Sequence, residues 1–280
     1  MKRLVIVRGG GELASGVIYA LYRAGFRVLV LEQEQPTATR RKVSFADAMY
    51  KGEADVERVT CHLAKNAKDA KKRLKDGELV MLKDPKAKCV KDLEPRVVVD
   101  ALLRHGNVAG TSREMAEHTI ALGPGFCAGR DVDAVVETMR GHNLGRLIFE
   151  GYSYRDQQTD GGQVGDPENL EHLVFAPSAG KVKMLHNISM MIKKGEPLAE
   201  IKTKEGLVTV SAKLDGVLRG AIHNGLDVEC GQKIADIHPT MTQEECYTIS
   251  DKARCIGGSV LEAVMMWESK RPKKFSFFGD

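Results

Sequence analysis

Hydrophobic residues in the first half of the chain form short unbroken runs separated by polar, helix-like stretches. The runs are rich in Val, Ile and Leu and do not alternate with polar residues, which is typical of strands covered on both faces of a parallel sheet. They lie at 4–7, 27–32, 79–83, 97–103, 119–122 and 146–149. Helices are predicted between them at 13–24, 65–76 and 131–142. This order predicts an α/β fold, with a Rossmann-like doubly wound parallel sheet over residues 1–152.

The second half carries an internal repeat. The segment "FAPSAGKVKMLHNISMMIKKGEPLAEI" aligns with "VSAKLDGVLRGAIHNGLDVECGQKIADI". The turn glycines are 15 residues apart in both copies, from Gly180 to Gly195 and from Gly216 to Gly231. Each copy predicts a turn, a strand, a polar hairpin, a glycine turn and a second strand.

This repeat resembles the two halves of a biotinyl/lipoyl-type barrel-sandwich domain, predicted over residues 172–239. Carrier domains of that type place a modified lysine at the hairpin that joins the halves. Glu205 stands at that position here, and the neighbouring Lys204 lacks the M-K-M or D-K-A context. A shift of one residue would turn the side chain to the other face of the strand. We therefore expect a scaffold without covalent biotin or lipoate.

Two further segments complete the predicted domain organisation. Residues 153–171 are polar and Gly-rich, which predicts a linker. Residues 240–280 are predicted to form a C-terminal helix and tail, in which Gly257-Gly258 interrupts the helical pattern and Ser250 is a candidate N-cap.

Composition excludes several classes of function. The net charge of +4 over 280 residues is too small for a nucleic-acid surface, and 5% aromatic residues are too few for base stacking. The six cysteines are far apart, so they form neither a disulfide framework nor a metal-binding pattern. No apolar run reaches the roughly 18 residues of a membrane span. We expect a cytoplasmic protein without metal ligands.

Candidate chemistry begins in the glycine-rich stretch "RGGGELASG" between the first strand and the first helix. Gly9-x-Gly11-x-x-Ala14 matches the dinucleotide-binding fingerprint, and Glu32 stands where an acid usually binds a ribose hydroxyl. A second cluster follows the strand at 119–122, on the edge of the sheet where ligands bind. The predicted cofactor-binding residues are Gly9, Gly10, Gly11, Glu12, Leu13, Ala14, Gly16, Glu32, Gly123 and Gly125.

Four separated segments carry a resemblance to a known family. They are "VRGGGELASGVIYALYRAGFRVLVLE", "RRKVSFADAMYKG", "ALGPGFCAGRDVDAVVETMRGHNLGR" and "ISDKARCIGGSVLEA". Together they resemble the selenium-dependent molybdenum hydroxylase accessory proteins, which are related in their Rossmann domain to XdhC-type maturation factors. The resemblance implies a maturation protein that binds a nucleotide (NAD-like) or the molybdenum cofactor through the glycine loop. Its implied partners are the molybdenum hydroxylase apoenzyme or other maturation proteins, and self-association stays open.

Other functions are compatible with the same residues. One alternative is an NAD-dependent oxidoreductase whose second domain is lipoyl-like, and another is a scaffold with a vestigial nucleotide fold. No Tyr-x-x-x-Lys pair or His/Asp dyad stands out in the sequence to carry hydride transfer. We therefore favour the maturation role, and the sequence assigns no catalytic residue.

Overall fold

The computed structural model describes residues 3–104, 106–154 and 172–269. Nearly all of the predicted linker at 153–171, and the predicted tail from 270 onwards, fall outside the described residues. No helix within the described ranges is both long and apolar enough to cross a membrane.

Nine strands form one large mixed sheet. Their bounds are β1 (Leu4–Arg8), β2 (Arg27–Glu32), β3 (Glu53–Val56), β4 (Val59–Ala64), β5 (Leu79–Lys83), β6 (Val97–Asp100), β7 (His118–Leu122), β9 (Ala134–Val136) and β10 (Leu147–Ile148). The spatial order is β10-β9-β7-β6-β1-β2-β5-β4-β3. The two edge strands, β3 and β10, pair antiparallel with their neighbours, and the strands between them pair in parallel. Two short strands, β8 (Cys127–Ala128) and β11 (Gly151–Tyr152), pair separately.

Helices cover both faces of this sheet unequally. They are α1 (Glu12–Arg23), α2 (Ala48–Lys51), α3 (Ala67–Lys75), α4 (Val90–Leu93) and α5 (Asp251–Glu268). The side chains of Val5 and Val7 face the core beneath α1 and α5, whereas those of Leu4 and Ile6 face the core beneath α3 and α4. The alternation along β1 follows from the two-residue period of a strand.

The helix α5 returns to pack on α1, near the beginning of the chain. Gly16 of α1 and Gly257 of α5 lie at the crossing, where a Cβ atom on either glycine would overlap the backbone of the other helix. Ser250 caps α5 by accepting a hydrogen bond from Ala253 N, as its sequence position predicts. The helix α5 therefore completes the core of the first sheet.

Residues 173–238 form two four-stranded antiparallel sheets that share one core. One sheet has the order β12 (Leu173–Phe175), β19 (Lys233–His238), β17 (Gly216–Ala221) and β14 (Met191–Ile192). The other has the order β16 (Leu207–Ser211), β15 (Pro197–Lys202), β13 (Gly180–Met184) and β18 (Asp227–Val228). Equivalent glycines of the repeat, Gly180 and Gly216, each face the carbonyl oxygen of a neighbouring strand. Lys204 is exposed in the turn between β15 and β16.

The predicted fold class, a Rossmann-like doubly wound sheet followed by a separate barrel-sandwich domain and helix, was wrong. Both edges of the large sheet are antiparallel. The predicted helix at 131–142 is absent, because its apolar centre forms the buried strand β9 and the rest is loop. A continuous apolar run of this length does not distinguish a buried strand from a helix. The C-terminal helix also belongs to the first core instead of following the second one.

A short segment after β2 joins the two sheet systems. Ala221 N, at the end of β17, donates a hydrogen bond to Thr39 O at 2.8 Å. The carbonyl oxygen of Ala221 in turn accepts a bond from Arg41 Nε at 2.6 Å. This reciprocal contact brings the residues after β17 against the residues that precede α2.

Candidate functional site

The glycine loop after β1 is enclosed by other parts of the same chain. The carbonyl oxygen of Gly10 accepts hydrogen bonds from Ser44 Oγ and Ala46 N, both at 2.8 Å. A Cβ atom on Gly10 would lie 2.9 Å from Ala46 N, so residues 44–46 pack directly on the loop. Gly9 has φ of +99°, and a Cβ atom there would lie 2.9 Å from the carbonyl oxygen of Ala101. Because neither glycine has a side chain, other segments of the same protein can pack directly against the loop.

The other predicted residues of this loop also have internal contacts. Glu12 Oε1 lies 2.5 Å from Arg40 Nη1 and accepts a hydrogen bond from Ser250 Oγ at 2.9 Å. Ala14 is fully buried, and Leu13 packs against the core beneath α1. Gly11 is the N-cap of α1 and has open space beside it.

Glu32, the predicted ribose-binding acid, instead closes the glycine loop. Its Oε2 accepts a hydrogen bond from Gly10 N at 2.8 Å, and its Oε1 accepts one from Gln33 N at 2.8 Å. Burial raises the pKa of Glu32, although both amide donors oppose this shift. The carboxylate occupies the amide of Gly10 that an anionic ligand would use.

The raised pKa of Glu32 predicts a pH-dependent stability. Its carboxyl group binds a proton more tightly in the folded chain than in the unfolded chain, so stability declines as pH rises from about 4.3 through the folded-state pKa. We expect Glu32→Gln to flatten this part of the pH profile, because glutamine retains an amide oxygen acceptor without titrating. The free energy of unfolding in urea, measured at a series of pH values, tests this; parallel profiles for the two proteins would contradict it.

The second predicted glycine cluster is likewise in contact with the chain. A Cβ atom on Gly123 would lie 2.6 Å from Thr138 Oγ1, and one on Gly125 would lie 2.5 Å from the Cα atom of Gly106. These glycines allow the loop after β7 to pack on its neighbours. The structure thus supplies an internal contact for nearly all of the residues that were predicted to bind a cofactor. Ligand binding by these residues is not tested and stays a prediction.

The crevice between β1 and β6, where ligands bind in open α/β sheets, is filled by a buried polar cluster. Arg8 Nη1 donates to Thr111 Oγ1, and Thr111 Oγ1 donates to Asp100 Oδ2. Arg8 Nη2 donates to Ala109 O at 3.0 Å, which ties the loop after β6 over the sheet. The pocket that remains beside Arg8 has room for about one water molecule, far less than a nucleotide needs.

The residues at the junction of the two sheet systems form a different kind of site. His223, in the turn after β17, places its Nε2 atom 2.5 Å from Oδ1 of Asp47, which precedes α2. The side chains are 16% and 7% exposed, so the imidazole reaches solvent while the carboxylate is buried. An imidazole paired with a buried carboxylate is the arrangement of many general acid–base sites.

The partners of the imidazole determine which nitrogen carries the proton. The carboxylate of Asp47 can only accept a hydrogen bond, so the nitrogen that faces it, Nε2, must carry a hydrogen. Arg41 Nη1, 3.4 Å from Nδ1, can only donate, so Nδ1 must be the acceptor. The neutral ring therefore has its hydrogen on Nε2 and its lone pair on Nδ1. The ring of Tyr50 lies against the imidazole, with centroids 3.8 Å apart, and fixes its plane.

Burial and neighbouring groups together determine the protonation states of Asp47 and Tyr50. Burial alone would raise the pKa of Asp47, but hydrogen bonds from His223 and Lys51 outweigh it and lower the pKa. Asp47 is therefore a carboxylate at neutral pH. Burial, together with Asp47 and Glu32, raises the pKa of Tyr50 to about 12, so its hydroxyl stays protonated and donates to Pro36 O at 2.6 Å.

Sequence reasoning missed this site because its two members are 176 residues apart. Neither residue lies in a recognisable motif, and His223 belongs to the repeat that we interpreted as scaffold. The segment that contains Asp47 was noted only as part of a family resemblance.

In the parts of the chain that the structure describes, no group of three or more His, Cys, Asp or Glu residues is placed to hold a metal ion.

Comparisons with known proteins give one close relative. The chain is 42% identical over 264 residues to "Uncharacterized protein YqeB" of Escherichia coli (strain K12), a match that includes 94% of this chain. The chain spans about half (48%) of the length of that relative. No family model matches. The resemblance to molybdenum hydroxylase accessory proteins is not tested by this match and stays a prediction.

Similar solved structures include the apo form of the ectoine utilization protein EutE (DoeB) from Ruegeria pomeroyi. It is 11% identical, with a TM-score of 0.28, over 84% of this chain and 86% of that chain. A succinylglutamate desuccinylase/aspartoacylase from Rhodobacter sphaeroides is 13% identical, with a TM-score of 0.28, over 86% of each chain. TM-scores in this range carry no argument about the activity of this chain.

The predicted function, maturation of a selenium-dependent molybdenum hydroxylase through a cofactor-binding glycine loop, is corrected by these findings. Glu32 and residues 44–46 close the loop, so the amide and the carbonyl oxygen of Gly10 are already bound within the protein. The alternative of an NAD-dependent oxidoreductase depended on the same loop and is corrected with it. The dinucleotide fingerprint marks a place where another group can come close to the backbone of the glycine loop. In this protein that group is the segment at residues 44–46.

Proposed function

We propose that this chain is an enzyme that transfers a proton to or from a small substrate, with His223 as its general acid–base residue. The observation that supports this is the 2.5 Å contact between His223 Nε2 and the buried carboxylate of Asp47. Asp47 orients the imidazole and stabilises the imidazolium that forms when the ring takes a proton. Tyr50 packs on the ring and limits its rotation.

The atom that exchanges the proton is Nδ1 of His223. Its contact with Arg41 Nη1 is 3.4 Å, longer than the usual range of about 2.7–3.2 Å for a hydrogen bond of this type. A water molecule or a substrate hydroxyl can therefore replace Arg41 as the group that faces Nδ1. The proton then passes from the substrate to Nδ1 while Nε2–H remains bound to Asp47.

Turnover of a mixture of metabolites tests this proposal, because it needs no choice of substrate. We expect the unmodified protein to change at least one mass in a small-molecule extract, and His223→Asn to reduce that rate by about 10²–10⁴-fold. The matched control is His62→Asn, because His62 forms a more exposed pair with Glu53 at 3.4 Å and should leave the rate unchanged.

A second measurement separates catalysis from a purely structural role. The ¹⁵N shifts of the imidazole should place the proton on Nε2 in the unmodified protein and shift toward the other tautomer in Asp47→Asn. Turnover that is equal in the protein and in folded His223→Asn would refute the proposal. The same conclusion would follow if the ring nitrogen that faces Asp47 carried no proton.

A further inference from the structure

We infer that the substrate of the Asp47–His223 site carries a carboxylate or phosphate group, and that Arg41 and Lys51 bind it. This inference rests on the proposed function, since it assigns the group that anchors the substrate beside the base. Arg41 is the central residue, because its partners differ from those of the other buried arginines.

Arg41 is a partly buried guanidinium without an ion-pair partner among the described residues. Burial lowers its pKa, which means that the cation is partly stripped of water. The more buried Arg8 and Arg40 each have a carboxylate within 4.0 Å, on Asp100 and Glu12 respectively. Asp47 opposes the lowering of the pKa of Arg41, but only from beyond the distance of an ion pair. Buried charges in proteins are normally paired in direct contact, so the lack of a carboxylate within 4.0 Å of Arg41 among the described residues indicates a place for an external anion.

The hydrogen bonds of Arg41 leave part of its guanidinium available. Nε donates to Ala221 O at 2.6 Å, which fixes the plane of the group, and Nη1 faces His223 Nδ1. In the described parts of the chain, Nη2 has no hydrogen-bond partner. A guanidinium held in this way presents its remaining N–H groups in a fixed direction, and this suits the oxygen atoms of a carboxylate or a phosphate.

Lys51 supplies a second positive charge, on the carboxylate oxygen of Asp47 that does not face His223. Its Nζ lies 2.5 Å from Asp47 Oδ2, and its side chain is 55% exposed, so two of its three N–H groups are left for other partners. With a neutral imidazole, the groups in direct contact at this site are the two cations Arg41 and Lys51 and the carboxylate of Asp47, which leaves one positive charge in excess. The excess positive charge attracts an anion to the site, and Arg41, whose Nη1 lies 3.4 Å from His223 Nδ1, would hold the anion beside that nitrogen.

Titration calorimetry with simple anions tests this inference on the full chain. We expect acetate, malonate or inorganic phosphate to bind. Acetamide, the neutral counterpart of acetate, should not bind. Arg41→Gln should weaken binding about 10- to 150-fold, because one charge-assisted hydrogen-bonding group is lost. Arg254→Gln is the matched control, since Arg254 already pairs with Glu57 at 2.6 Å on the surface. Comparison of malonate with phosphate distinguishes a carboxylate substrate from a phosphorylated one.

The outcomes separate this inference from the proposed function. Anion binding that Arg41→Gln reduces and Arg254→Gln preserves would support the inference. Equal binding by unmodified protein and Arg41→Gln, or no binding of any of the three anions, would overturn it. Turnover that depends on His223 would leave the proposed function standing in that case. Arg41-dependent anion binding without His223-dependent turnover would instead refute the acid–base function alone.

Discussion

Gly257→Ala is expected to lower the free energy of unfolding by about 1–3 kcal/mol, the range typical of overpacking a tight contact. The added methyl group would overlap the carbonyl oxygen of Gly16, so α1 and α5 would have to separate along their crossing. Guanidinium unfolding monitored by circular dichroism measures the effect. The variant should keep the same m-value if both states retain their compactness.

The adjacent residue provides the control for this prediction. Gly258 is exposed, and a Cβ atom there meets nothing within 4 Å. Alanine favours a helix interior over glycine, so Gly258→Ala should raise the free energy of unfolding by about 0.5–1 kcal/mol. The same substitution at neighbouring positions should thus act with opposite sign. Similar effects of both variants would contradict the packing that we describe.

Arg8→Met is expected to destabilise the protein by about 3–5 kcal/mol, because it leaves the buried carboxylate of Asp100 without its cation. Both side chains are 3% exposed or less, and Thr111 bridges them. The double variant Arg8→Met with Asp100→Leu should recover much of this loss, since neither charge is then left alone. Unfolding in urea measures the free energy of unfolding of the unmodified protein, of Arg8→Met and of the double variant.

A surface ion pair provides the comparison for the buried one. Lys83 Nζ lies 2.8 Å from Glu34 Oε1, and both side chains are more than half exposed. Lys83→Met should change the free energy of unfolding by no more than about 1 kcal/mol. If Arg8→Met were as mild as Lys83→Met, the polar cluster would not hold the loop over the sheet.

Continuous apolar runs were sufficient to locate the central strands. The runs at 4–7, 27–32 and 79–83 became β1, β2 and β5, because a parallel strand buried on both faces needs apolar residues at every position. The edge strand β3 was harder to predict, since it alternates buried and exposed residues over only four positions. The prediction of a helix at 131–142 was wrong for a related reason. The three buried residues of β9 are too few to distinguish the period of a helix from that of a strand.

The glycine fingerprint predicted a close approach correctly in kind, but it could not identify the approaching group. Sequence spacing places Gly10 at the end of a strand, whereas its contact with Ala46 depends on how the chain returns after β2. The Asp47–His223 pair is hidden for the same reason. Local patterns carry no information about two residues that meet only when separate sheet systems assemble.

The packing of α5 on α1 has a consequence for how the protein is made. α1 leaves the ribosome well before α5, so the surface of α1 around Gly16 is covered only when residues near 257 have emerged. Until then the nascent chain exposes part of its first core, including Val17 and Leu21. The final assembly of the large sheet is therefore delayed until α5 has been synthesised, and chains that stop before α5 should be substrates for chaperones and proteases.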